Sequence, residues 1–148
     1  MIVHKLVLGL FTATLLGSCS MMMGRSTTYT FKHNPTAADP AAMGRAVASR
    51  DGSMVSTTLT LSGLTPSKAY IAHYHAFGPA SSTDPCASNG PVTLGFPNFT
   101  ADASGKVSVT VTGDMAKIAG DMGAYINVHY ASDPSVVPIC APVKMTKS

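Results

Sequence analysis

The chain has 148 residues, a length that suits one domain around a single core. Charged residues make up 11% and hydrophobic ones 45%, which excludes a disordered or charge-driven polypeptide. The formal net charge of +3 comes from ten basic residues scattered along the chain, so there is no basic patch for DNA or RNA.

The N-terminus reads as an export signal. A basic start ending in Lys5 precedes a mostly apolar run, 6–16, that is too short to cross a bilayer, which needs about 20 residues. The string Leu16-Gly17-Ser18-Cys19 resembles the lipobox of bacterial lipoproteins. That resemblance implies a signal peptide over 1–18, a lipid on Cys19, and attachment to a membrane in the cell envelope, facing the periplasm or the exterior. Ser20 after the cysteine would send a Gram-negative lipoprotein to the outer membrane. Residues 20–28 read as a flexible tether, with the folded domain over 29–148. Met21, Met22 and Met23 are either plain tether or, as soft thioethers, a trap for Cu(I). If Cys19 is acylated, Cys86 and Cys140 remain as an even pair, and a disulfide between them would persist in an oxidising compartment. Such a loop contributes about 4 kcal/mol in the chain-entropy model.

Further along, residues 41–49 form the best helix candidate, but without a clear apolar stripe, so a loop is the other reading. Period-two alternation then predicts strands over 54–61, with Val55, Thr57, Leu59 and Leu61 on one face, and over 69–77. Residues 79–97 read as a long loop held by Cys86, and long loops in compact domains are usually functional. Two more strands are predicted over 107–112 and 124–130; the last sets Ile126, Val128 and Tyr130 against Tyr125, Asn127 and His129. The fold expected is an all-β sandwich or barrel.

His73 and His75 stand two apart on a predicted strand, so their imidazoles project from one face. That is half of a metal site, and imidazole suits copper, zinc, nickel and iron alike. His129, on a second strand and turned away from that strand's apolar face, offers a third ligand. No Ser-His-Asp, Cys-His or paired-carboxylate set suggests hydrolysis.

Over roughly 54–140 the chain resembles the copper/zinc superoxide dismutase family. The matching pieces, in order, are Gly63-Leu64-Thr65-Pro66, His73-Tyr74-His75, Phe77-Gly78, Cys86-Ala87-Ser88-Asn89-Gly90-Pro91, Asn98 to Gly105, Gly120-Asp121, Val128-His129, Asp133 and Cys140. The resemblance implies a Greek-key β-barrel of the immunoglobulin-like kind and one copper per chain, bound by His73, His75 and His129. It also implies a Cys86–Cys140 disulfide anchoring the loop beside the metal. Asp133 would either hold a ligand histidine by its other ring nitrogen or serve only as a turn residue.

Three departures temper the likeness. Val92 stands where that family has a histidine bridging copper and zinc, and Val137 stands where it has an arginine for the superoxide anion. Gly90-Pro91 also reaches Asn98 within eight positions, which leaves no room for a zinc-binding loop, so zinc is not expected. The fourth copper ligand would be water, His33 or a methionine such as Met43, Met54, Met115 or Met122. The function expected is a lipid-anchored, extracytoplasmic copper-binding protein for sequestration, delivery or tolerance, passing its metal to an unidentified partner. The alternatives are a copper-only dismutase of reduced activity and a metal-free structural module.

Overall fold

A computed structural model describes residues 25–34, 38–78 and 84–145. The signal segment 1–18, Cys19 and the three adjacent methionines lie outside the described residues.

Among the described residues ten strands occur in chain order: β1 (Ser26–Thr30), β2 (Lys32–His33), β3 (Met43–Asp51), β4 (Met54–Ser62), β5 (Ala69–Ala76), β6 (Val92–Gly95), β7 (Phe99–Thr100), β8 (Val107–Asp114), β9 (Ala124–Tyr130) and β10 (Ile139–Val143). A 3-10 turn, Pro85–Ala87, precedes β6, and one helical turn, Met115–Ile118, follows β8. The strands form two antiparallel sheets, ordered β1-β3-β4-β8 and β2-β10-β9-β5-β6, with β7 pairing the start of β5. The all-β expectation holds as a sandwich of two sheets; no closed barrel forms among the described residues.

The alternation along β4 buries Val55, Thr57, Leu59 and Leu61, as the period-two pattern requires. Across the sandwich they meet Tyr74 of β5 and Ile126 and Val128 of β9 in one core. Thr57 is the polar member of that set, and its hydroxyl is satisfied by Tyr74 OH at 2.7 Å. A second buried polar group, Asp39, accepts hydrogen bonds from the hydroxyls of Thr65, Tyr70 and Tyr130 and so ties the 38–42 segment to β5 and β9.

Two sequence expectations are corrected here. The 41–49 stretch is most of β3, which pairs with β4 from Met43↔Ser62 to Asp51↔Met54 around a two-residue turn led by Gly52 at φ 57°. Its inward residues, Ala46 and Ala48, are too small to give an apolar signature. Ser26, Thr27 and Thr28, assigned from the sequence to the tether, are the first part of β1, paired to β3.

Candidate metal centre

β5 and β9 run side by side with Ile71↔His129, His73↔Asn127 and His75↔Tyr125 in register. Their even-numbered residues face the main core, so the odd-numbered ones share the opposite face of the sheet. His73, His75 and His129 lie on that face, with ring centroids 5.4–6.1 Å apart. One nitrogen from each ring falls within 4.8 Å of the others.

This outer face is closed to water along β9 and at His75, while Ile71 and His73 of β5 are half-buried. His129 is only 7% exposed and His75 9%, and every residue of β9 is buried. The segment 84–91 lies over the face and is held in three ways. Cys86 is disulfide-bonded to Cys140 on β10, 54 residues away in sequence. Tyr125 OH donates to the Ser88 carbonyl at 2.6 Å and accepts from Gly90 N–H at 2.9 Å. Gly90 lies so close to β5 that a Cβ there would meet the Ala76 carbonyl oxygen at 2.0 Å, which leaves glycine as the residue that fits. Phe77, Tyr125 and the disulfide form a small second core under this cover.

Two of the three rings are oriented by hydrogen bonds to backbone carbonyls. His75 stacks on Tyr125 at 4.8 Å and 7°, and its Nδ1–H donates to the Gly90 carbonyl at 2.9 Å. His129 Nδ1–H donates to the Pro134 carbonyl at 2.6 Å. A carbonyl can only accept, so each of these rings carries a proton on Nδ1, and Nε2 is the nitrogen left to act as a ligand. Those two Nε2 atoms, together with Nδ1 of His73, are buried and have no hydrogen-bond partner among the described residues. Burial, with the neighbouring imidazoles, lowers the pKa of His73. Burial also lowers that of His129, outweighing the opposing effect of the Pro134 carbonyl. Three imidazoles gathered on one face of the sheet suit a transition-metal ion.

Asp133 does not hold a histidine. Its Oδ1 accepts from Ser135 N–H and Oγ–H, at 3.0 and 2.6 Å, and so caps the 133–136 turn. The Pro134 carbonyl of that same turn performs the task expected of Asp133. Of the fourth-ligand candidates, Met43 and Met54 belong to the other sheet, and Met115 packs in the main core. Met122 is 41% exposed in the turn before β9. His33, on the edge strand β2, lies 3.2 Å from the Asp39 carbonyl oxygen through Nε2. Sequence reasoning passed over Asn127, whose buried Oδ1 is also unpartnered. The signal was present, since Asn127 shares its period-two face with Tyr125 and His129.

The chain matches the model of a family described as the CHRD domain over residues 23–136. No curated protein matches it. The match overturns the assignment to a superoxide dismutase-like family; the fold that stands is the sandwich of two antiparallel sheets. The likeness lay in short local motifs, and a β-sandwich of another family needs the same turns and tight approaches.

Proposed function

The chain belongs to the CHRD domain family, and we propose that it is a copper-binding protein whose site among the described residues is the His73, His75 and His129 cluster. The observation that carries this reading is a cluster of three imidazoles, one nitrogen of each within 4.8 Å of the others, in which every ring keeps a buried nitrogen with no partner among the described residues. Buried polar atoms are nearly always paired, so three unpaired ones facing each other argue for an ion between them. Three imidazoles bind most first-row divalent metals, and at such a site Cu(II) is held more tightly than nickel or zinc. When bound, the ion would supply Lewis acidity or one-electron chemistry, whereas the chain's own part is to hold, orient and cover it. Sequestration or delivery of copper fits a site shielded by the 84–91 cover.

The reason for excluding zinc falls with the dismutase pattern, because it rested on that family's missing zinc loop. Three-histidine sets also serve zinc, so competition between the metals belongs in the test. The copper-only dismutase reading loses its ground in the same way. An envelope location, with Cys19 acylated, is retained on the N-terminal sequence alone; no helix among the described residues is long and apolar enough to cross a membrane.

The test is a titration of the domain with Cu(II) against a competing chelator, repeated with zinc present. One copper per chain is expected at submicromolar affinity, with His75→Ala and His129→Ala each at least a hundredfold weaker. Affinity no tighter than micromolar, or unchanged in both variants, would sink the proposal. Zinc binding more tightly than copper would reassign the metal.

A further inference from the structure

Resting on that reading, the structure also points to a fourth donor. Asn127 stands directly opposite His73 in the β5–β9 ladder, with His129 two residues further on its own strand. Directly opposed residues hold their Cβ atoms about 4.5–5.5 Å apart. Asn Oδ1 and His Nδ1 each lie two bonds beyond Cβ, so the two side chains have equal reach above the sheet. Both of these atoms are buried and have no hydrogen-bond partner among the described residues. Asn127 is 7% exposed, and folding gains nothing by stranding an amide oxygen there.

We propose that Asn127 Oδ1 ligates the ion directly and, with the three imidazole nitrogens, completes a four-coordinate centre of three nitrogens and one oxygen. An amide oxygen is a hard donor, unlike thioether sulfur, and therefore favours Cu(II) or Zn(II) over Cu(I). Met43 and Met54 lie on the other sheet, and Met115 in the main core, so none of the three brings a thioether to this face. Asn127 thus sets which oxidation state the site prefers. It also sits at the sheet floor of the site, where its position is fixed by strand register rather than by a loop.

The test compares the protein with Asn127→Leu, which keeps the volume and removes the donor, and with Asn127→Asp, which supplies a charged oxygen of the same reach. Cu(II) affinity, Cu(I) affinity, the Cu(II) paramagnetic resonance spectrum and the metal-free melting temperature are measured for each. Asn127→Leu is expected to bind Cu(II) at least tenfold more weakly, with altered copper hyperfine splitting, and Cu(I) within about threefold of the parent. Its metal-free form should melt no lower than the parent, because an unpaired buried amide oxygen has been removed. Asn127→Asp should bind Cu(II) more tightly than the parent. A parent-like Cu(II) spectrum and affinity in Asn127→Leu would overturn the assignment, as would a lower metal-free melting temperature with copper binding untouched. A water between Oδ1 and the ion in a copper-loaded crystal structure would overturn direct ligation. Failure of the parent itself to bind copper would instead remove the metal centre as a whole.

Discussion

At the scale of single residues, the buried polar groups divide into those the fold satisfies and those it leaves open. Asp39 is of the first kind. Burial alone would raise its pKa, but the hydroxyls of Thr65, Tyr70 and Tyr130, with Lys68 nearby, outweigh burial and hold it below the ordinary carboxylate value. A carboxyl whose folded pKa lies below its unfolded one stabilises the fold above the unfolded value. That contribution is lost as pH falls through the folded value. Asp39→Asn keeps the backbone at φ 60°, which Asn tolerates, and removes the charge. It should cost about 1–3 kcal/mol at pH 7, and the gap to the parent should shrink below about pH 4. Denaturant melts at pH 7 and pH 3 measure both; a gap equal at the two pH values would show that the carboxylate charge plays no part. Nε2 of His75 and His129, Nδ1 of His73 and Oδ1 of Asn127 are of the second kind. All four occupy one face of two adjacent strands, which makes a functional explanation stronger than four separate packing faults.

At the scale of elements, the site depends on the cover as much as on the strands. Gly90 performs two tasks: its carbonyl orients His75, and its N–H anchors to Tyr125. Gly90→Ala would drive a methyl into the Ala76 carbonyl, so the 84–91 segment must lift and His75 must lose its orienting partner. Groups that orient a metal-ligating histidine typically contribute 10–100-fold in affinity. Gly90→Ala is therefore expected to weaken copper binding by about that factor, as is the paired replacement of Cys86 and Cys140 by alanine. The latter should also cost about 4 kcal/mol of stability in the chain-entropy model for a 54-residue separation. Copper titrations and denaturant melts test both; unchanged affinity in Gly90→Ala would show that the cover is incidental to the site.

The same elements show what could be read without a structure. Strands β4, β5, β8 and β9 were legible because half-buried strands alternate, and the shared face of His73, His75 and His129 follows from that alternation. β3 was obscured by its small inward alanines, and β10 by Pro142 in its pairing with β9. β6 was hidden in a segment dominated by turn residues. It pairs with β5 through a register shift between Tyr74 and His75, so its residues do not follow a simple alternation. The burial of His129 was illegible for a different reason. It depends on the 84–91 cover and the 131–136 turn folding back, contacts with no local signature.

At the scale of the whole molecule, a series of short motifs pointed to the wrong family, while the all-β class stands and the three histidines do lie together. Turns, tight glycines and a His-X-His strand answer local demands that many sandwiches share, so they testify to architecture before ancestry. The architecture also decides how metal and folding are linked. His73 and His75 lie on β5 and Asn127 and His129 on the neighbouring β9, and the register of those strands is set by an apolar core on the opposite face. The site should therefore exist before the ion arrives, unlike small metal domains that fold only when loaded. The metal-free protein is expected to unfold cooperatively in chelator, and copper should add stability by mass action alone. At a free concentration one hundred times Kd that is about 2.7 kcal/mol, or a rise in melting temperature of about 5–10 °C for a domain of this size. Calorimetric scans in chelator and at graded free copper measure both. Loss of the cooperative transition in chelator would mean that the ion, and not the apolar core, sets the register of β5 against β9.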